Sequence, residues 1–398
     1  MALSAAVGTG YGEDSFLAGA SACQAALKQL EGGKASAVIV FASSKYVQED
    51  MIRGVRSISG DALLIGSSTA GEITSEGPLK QGSVAVMALA SDDISFFNGI
   101  GSPVSGGPRL AGKAAATEVK GKATDELRAF MMIPDVLSGN GSEIVRGVLD
   151  VLGEHFPVVG GASGDDFQFK NTYQYINDEV HTDSVVGLGM TGAVKMGIGV
   201  KHGWIPIGLP MKVTKAEGNV LHEVDGKPAI SIYEEYFGEK EAASLRSETL
   251  AKLAITYPLG LTVADSSELL IRDPLSVDSS GSITCAADIP EGSEIRLMIG
   301  SIEEAIVVAK EAAQNALYQL DGAPPKAIVI FNCIARNKLF GERSGEEISA
   351  IQDVLGRDVP LIGFYTYGEQ APLGGEVRDI KSCNTTFHNE TVVIAAFA

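Results

Sequence analysis

Nothing in this chain reads as a metal or disulfide framework. Its four cysteines, Cys23, Cys285, Cys333 and Cys383, form no C-x-x-C pair, so neither zinc ligation nor a disulfide scaffold is indicated and the thiols are expected to be free. The five histidines stand singly, without the i, i+4 partner of a helical metal face. No 18 apolar residues run together, and the N-terminus has neither a basic n-region nor a long apolar core, so no membrane span or secretion signal is read. Positive charge is scarce: 31 Lys and Arg against 50 Asp and Glu leave a net charge of -19, which repels phosphate backbones and anionic lipid headgroups. These absences predict a cytoplasmic, bacterial protein that takes neither nucleic acid nor membrane as its partner. Catalytic signatures are missing too. The loops GSSTAGE and GGASGDD lack the Lys-Ser/Thr of a phosphate-binding loop, and there is no G-x-S-x-G. A cysteine nucleophile at Cys333 needs His388 as its base, which requires the last strand to fold beside Cys333. The expectation is a protein that is not an enzyme, with a cysteine-dependent enzyme as an alternative.

What the chain does have is one sentence written three times: an apolar strand, a helical stretch, a second apolar strand and a glycine-rich turn closed by an acid. The copies run from AVIVF to LLIGSSTAGE, from RAFMMI to FPVVGGASGD and from KAIVIF to VPLIGFYTYGE, ending at Glu72, Asp165 and Glu369. The first and third share G-x4-G-E (Gly66, Gly71, Glu72; Gly363, Gly368, Glu369), and the second, Gly160 to Gly164 and Asp165, is one residue shorter. Such repetition marks units that bury their apolar faces only against their siblings, so the copies belong to one body and their acidic turns are candidates to converge. The spacing between copies is irregular, which excludes a solenoid and favours duplicated subdomains.

Length allows two or three domains. Residues 15 to 31 read as a covering helix stopped at Gly32-Gly33. SVAVMALA (83 to 90) and ISFFNGIG (94 to 101) read as strands around the Asp92-Asp93 turn, and 101 to 112 as a loop. The helix of the second copy starts at Ser142 with Glu143 in its first turn. FQFKNTYQYI, SVVGLGM and MGIGVKHGW (167 to 204) read as an antiparallel meander. From Asp225-Gly226 the pattern turns helical over 227 to 253, short strands follow between 269 and 300, and a helix near 302 to 320 leads into the third copy. The expected class is α+β, with mixed and antiparallel sheets, flanking helices and internally repeated subdomains. The division expected is 1–32 as a covering helix, 33–225 as a first domain with two repeats, and 226–398 as a second domain with the third.

FNCIAR (331 to 336), GFYTYGEQAP (363 to 372) and FHNETVVIAAF (387 to 397) resemble the C-terminal half of FIST sensory proteins. The first two copies, together with KHGWIPIGLPMKVTKAEGNVLHEVDGKPAISIY (201 to 233), resemble the FIST N-terminal domain and its junction. The resemblance covers roughly residues 33 to 398. It implies a cytoplasmic sensor of small ligands, amino acids among them, in signal transduction. FIST modules are often joined to a kinase, cyclase or chemoreceptor output; no residues remain here for one, so the expected partner is a separate histidine kinase, diguanylate cyclase or chemoreceptor.

Residue chemistry at the third copy points the same way. Arg336 can hold a carboxylate through two parallel hydrogen bonds. Glu369 on the following turn, or Glu72, can take an ammonium, while Tyr365 and Tyr367 supply walls with polar tips. With Cys333 and Asp165 these form the expected ligand-binding set, suited to a zwitterion. Against it stand bland readings: the acids of glycine-rich turns often satisfy turn amides, Arg336 can pair with Glu346 or Glu347 inside the fold, and Cys333 can be an inert buried thiol. No cofactor is expected. The alternative is haem, because some FIST proteins are haem-based gas (nitric oxide) sensors, with His202 or His388 as the iron ligand although no C-x-x-C-H motif is present. A ligand-free protein-interaction module is the third reading.

Overall fold

The computed structural model describes residues 3–238, 253–263, 268–375 and 383–398. Each copy of the repeat is longer than its motif. The first comprises β1 (Ser4–Tyr11), α1 (Ser15–Gln29), β2 (Ala37–Ser43), α2 (Gln48–Ser59), β3 (Leu63–Thr69), β4 (Glu72–Thr74), β5 (Gly77–Pro78) and β6 (Ser83–Ala90). The second follows the same order: β7 (Ile94–Gly101), α3 (Pro108–Lys122), β8 (Leu127–Pro134), α4 (Gly141–Leu152), β9 (Val158–Gly161), β10 (Gln174–Ile176), β11 (Glu179–His181) and β12 (Val185–Gly192). The third begins at β13 (Met196–Lys201) and is interrupted by an eight-stranded sheet running from β14 (Trp204–Glu217) to β21 (Glu294–Gly300), with a short helix α5 (Ser231–Phe237). It resumes with α6 (Ile302–Gln319), β22 (Ala327–Cys333), α7 (Ile334–Phe340), α8 (Ser344–Leu355), β23 (Leu361–Thr366), β24 (Glu369–Pro372), β25 (Thr385–His388) and β26 (Val392–Phe397).

Three six-stranded sheets result, ordered β1-β6-β2-β3-β10-β11, β7-β12-β8-β9-β24-β25 and β13-β26-β22-β23-β4-β5. Each is built around a parallel pair, β2/β3, β8/β9 or β22/β23, and each is completed by two short strands borrowed from another copy. The strands after the first turn join the third sheet, those after the second join the first, and those after the third join the second. This cyclic exchange makes one body of the repeats.

The parallel-pair strands read as unbroken apolar runs because both faces are covered. Ile39 and Phe41, Met131 and Ile133, and Val329 and Phe331 point into one central core between the sheets. Val38 and Val40, Phe130 and Met132, and Ile328 and Ile330 point outward against the helices. The edge strands come close to their covering helices. A Cβ on Gly10 would lie 2.0 Å from the Ala18 carbonyl oxygen, and one on Gly199 would lie 1.8 Å from that of Ala312. Gly10→Val therefore pushes α1 off the sheet, and about 3 kcal/mol of lost stability is expected, read as a lower urea midpoint at unchanged slope.

Several expectations are corrected. The three runs between 167 and 204 form no meander: β10, β12 and β13 lie in three different sheets, because the exchange pulls each to its own neighbour. The stretch 101 to 112 is a loop only to Gly107, after which α3 begins with Pro108 in its first turn. Residues 4 to 11 form an edge strand ahead of the covering helix. The helical stretch 227 to 253 is seen only in part, as α5, since 239–252 lie outside the described residues.

Candidate functional site

All three parallel pairs end at the same place, and there the glycine-rich turns meet. The Ala70 N–H donates to the Tyr365 carbonyl at 3.0 Å and the Tyr365 N–H to the Gly71 carbonyl at 2.8 Å, joining turns one and three. Ala162 donates to the Gly368 carbonyl at 2.8 Å, joining two and three, and Gly164 to the Ser68 carbonyl at 3.0 Å, joining two and one. Gly71 and Gly368 adopt φ of 132° and 152°, which an L side chain resists; Gly164, their counterpart in the shorter second turn, is not among the positive-φ glycines. The ring of turns closes the carboxyl ends of the strands, the place where α/β sheets commonly hold ligands.

Three equivalent stations surround the ring. Each sets a strand-end residue beside the residue that precedes or opens the antiparallel neighbour: Ser43 by Ser83, Asp135 by Ser184 and Cys333 by Thr391. At the first, Glu72 is satisfied: its carboxylate accepts from the Thr69 hydroxyl at 2.6 Å and from the Ser83 hydroxyl. Burial pushes Glu72 up to about 7 despite those bonds. Asp165 behaves differently. Its carboxylate accepts from the amides of Gln168, Phe169, Lys170 and Asn171 and from the Tyr367 hydroxyl, pinning a loop in which Asp166, Phe167 and Phe169 all have positive φ. Phe169 stacks on Tyr367 with ring centroids 4.4 Å apart. Tyr365 lies in the outer core of the third copy.

The expected use of Arg336 is corrected. The side chain is wholly buried. Its Nε donates to Glu347 at 3.0 Å, Nη2 to Glu347 and to the Ala305 carbonyl, and Nη1 to the His202 carbonyl. Trp204 and Phe340 flank the guanidinium, each 5.6 Å from ring centre to Cζ. It fastens α7 to α8, α6 and the inserted sheet, and no bidentate face is left for a ligand. Glu346 pairs instead with Arg343 at the surface.

The third station is open where the others are closed. Glu369 is fully buried; one carboxylate oxygen accepts from the Thr391 amide at 3.1 Å and hydroxyl at 2.6 Å, while the other has no partner among the described residues. Burial pushes Glu369 up to about 8. Near it lies Glu390, in the turn between β25 and β26. Its backbone is left-handed, with φ of 57°, and neither carboxylate oxygen, both buried, has a partner among the described residues. Burial, and then the charges of Asp273 and Glu369, hold Glu390 well above the usual carboxylate range. Asp273 follows β18 (Leu269–Arg272) of the inserted sheet. One of its oxygens is also unpartnered, and burial lifts it to about 7. Arg272 beside it is buried, donates to the carbonyls of Asp288, Ile271 and Phe387, and meets no carboxylate within salt-bridge distance among the described residues. Burial lowers it to about 10.

Cys333 belongs to this cluster. Its thiol is pushed well up by burial and then by Glu369, Glu390 and Asp273, the opposite of what a nucleophile needs. β26 does lie beside β22, but the His388 Nε2 contacts the Ala371 carbonyl at 3.1 Å, and burial lowers His388 to about 4. His202 accepts from the Trp204 amide through Nδ1 and is likewise lowered to about 4 by burial. Among the described residues no three His, Cys, Asp or Glu side chains are arranged to hold a metal ion, and no helix is long and apolar enough to cross a membrane.

Sequence reading missed Asp273, Glu390 and Arg272. Signals existed: a charged Arg-Asp pair inside the strand LLIRDPLSV, and an acid in the tight turn FHNET.

The fold is a triply repeated α+β body with exchanged strands, and the site is a cluster of acids where its third copy meets an inserted sheet. The chain belongs to the FIST family, whose members are generally sensory, small-ligand-binding domains of signalling proteins: the FIST N domain matches residues 36–227 and the FIST C domain 229–372. An uncharacterised Mycobacterium tuberculosis protein is 25% identical over 379 residues, covering 93% of this chain and 95% of its own length. A Methanocaldococcus jannaschii protein, also uncharacterised, is 27% identical over 298 residues, covering 70% and 56%. Among solved structures, the cyanuric acid hydrolase from A. caulinodans aligns over 100% of this chain and 99% of its own at 10% identity, with a TM-score of 0.38.

Proposed function

We propose that this FIST chain senses a small polar metabolite carrying an amino group, an amino acid fitting best, and passes the signal in the cytoplasm to a separate output protein such as a histidine kinase, diguanylate cyclase or chemoreceptor. One observation carries the reading: Glu390 is buried in a strained backbone conformation with both carboxylate oxygens unpartnered. A buried acceptor left empty costs about 1 to 3 kcal/mol, more when charged, and non-glycine left-handed strain persists chiefly where function requires it. An ammonium offers three donors. Glu390, Glu369 and Asp273 supply unpartnered acceptors for them, whereas Arg272, held by the carbonyls of Asp288, Ile271 and Phe387, has no bidentate face to offer. The acids come from the repeat core and from the inserted sheet, and junctions of this kind are a common place for ligands, so occupancy ties the inserted sheet to the repeat core. The ring residues Glu72, Asp165, Tyr365 and Tyr367 hold the turns in place rather than touch the ligand. Haem gains no support from His388, which is buried with Nε2 at the Ala371 carbonyl.

The test uses both ends of the ligand. Glu390→Gln and Glu369→Gln are each expected to weaken an amino acid by about 2 to 4 kcal/mol, on the order of 30- to 1,000-fold, measured by calorimetry. The matching amine lacking the carboxylate keeps its sensitivity to Glu390→Gln, while Arg272→Gln leaves the affinity of both ligands unchanged. Wild-type affinity in Glu390→Gln overturns the seat.

A further inference from the structure

β1, β7 and β13 are equivalent edge strands, and two of the three edges are closed from within. On β7 the Ile100 amide donates to the Glu118 carboxylate at 2.8 Å and the Asn98 carbonyl accepts from Lys122 at 2.9 Å. On β13, Gln319 engages both the amide and the carbonyl of Ile198, at 3.3 and 2.7 Å, and also the Gly375 carbonyl. The backbone of Gly375 lies against that edge, close enough that a Cβ there would sit 3.0 Å from the Val200 nitrogen. Side chains and chain crossings of this kind are how proteins blunt sheet edges.

Among the described residues the cover on β1 is thinner. Its register with β6 runs unbroken from Ser4 opposite Ala90 to Tyr11 opposite Ser83, and its sequence, SAAVGTGY, holds no charge and no proline. The register turns the amides of Ala5, Val7 and Thr9 away from β6. Among the described residues only the Val7 carbonyl meets a partner there, the Gln29 side chain at 3.2 Å. The edge is recessed: a groove of about 430 Å³ runs along residues 5 to 9, with Thr74, Ser75 and Glu76 on one wall and Arg357, Asp358 and Pro360 closing it. Those walls belong to the strand exchanged into the third sheet and to the turn before β23, so the groove lies where two sheets adjoin.

We propose that β1 is a docking edge for one extended peptide segment of another protein, which adds as a seventh strand. Charge decides the kind of occupant. A second copy of the chain carries the same net charge of -19 and is repelled. The floor is lined by small side chains, Ala6, Gly8 and Ala25, so main-chain pairing supplies the affinity. The net charge of -19 favours a segment flanked by basic residues. The inference goes beyond the ligand reading and stands without it: β1 lies in the first sheet, and Glu369 and Glu390 in the third copy.

The test takes the full chain and a pool of synthetic octapeptides, flanked by lysine, with Val, Thr, Ser and Ala at the central positions. Hydrogen exchange reads Val7 and Thr9 directly. Both amides are expected to exchange freely in the isolated protein and at least tenfold more slowly with saturating peptide. Thr9→Pro removes a donor on the open side only, a position where edge strands tolerate proline; it is expected to keep the melting temperature and lose at least tenfold in peptide affinity by fluorescence anisotropy. Peptides N-methylated on the register facing β1 should fail to bind, and those methylated on the other register should bind. Protection of Val7 and Thr9 without peptide, no binding by any peptide of the pool, or unchanged affinity in Thr9→Pro overturns the proposal.

Discussion

Arg336→Ala lowers the stability of the folded chain by about 3 to 5 kcal/mol before any ligand is added, the scale set by removing one partner of a buried ion pair. The loss is not the strength of one contact. Glu347 would remain wholly buried with only the Asn332 amide, at 2.7 Å, left to satisfy it, and the carbonyls of His202 and Ala305 would lose their donors together. The ring faces of Trp204 and Phe340 would lose the cation between them. Denaturation in urea measures the effect, and the double variant Arg336→Met with Glu347→Met separates its causes. Burying two apolar side chains of similar length restores much of the loss if the unpaired charge dominates. A stable Arg336→Ala that has lost only ligand affinity would return Arg336 to the ligand.

Stability is expected to fall as the pH rises from about 5 to about 8. Glu369, Asp273 and Glu72 are lifted by burial to about 8, 7 and 7, and burial, then the charges of Asp273 and Glu369, hold Glu390 well above the usual carboxylate range. In the unfolded chain these carboxyls ionise near 4. Across that window the folded state holds protons that the unfolded state has released. Their contribution is therefore complete below the unfolded values and is lost as pH climbs through the folded ones, at up to about 1.4 kcal/mol per pH unit for each group. His202 and His388 work in the opposite direction. Both are lowered to about 4, so their contribution is present above about 6.5 and fades as pH falls. Four raised carboxyls outweigh two lowered imidazoles, so the net slope is negative from about pH 4 upward and steepens above about 6.5, where the histidines no longer offset it. Urea midpoints in wild type and Glu390→Gln at about pH 5.5, 7 and 8.5 check the account: the wild-type slope is negative and the variant's shallower. A flat or rising wild-type profile would mean that these carboxyls are matched by cations in the folded chain.

The strands were legible because repetition amplifies a weak signal. AVIVF, RAFMMI and KAIVIF are apolar on both faces, and the glycine spacing of their turns marks the ring whose backbone ties the copies together. Strand exchange was not legible, because β4, β10 and β24 are three or four residues long and nothing local tells such a strand which sheet it joins. The helix pairs carried a repeat that went unused: Arg53-Gly54-Val55 in α2 matches Arg146-Gly147-Val148 in α4, with both glycines against a neighbouring helix's backbone. The candidate site was half visible. Glu369 and Cys333 stand in the motif, but Asp273 and Glu390 enter from the inserted sheet and the last turn, and only the fold brings them to the third station. Arg336 misled because a buried arginine and a ligand-binding one look alike until the neighbours are known.

The most direct test of the acid cluster as a ligand seat is a thermal-shift screen of wild type and Glu390→Gln against the twenty amino acids and haemin at about pH 7.5. A ligand at 1,000 times its dissociation constant adds about 4 kcal/mol to the folded state, enough to move the melting temperature by several degrees. The account predicts at least one amino acid that stabilises the wild type and leaves Glu390→Gln unmoved. Silence across the amino acids, or equal stabilisation of both proteins, would contradict it.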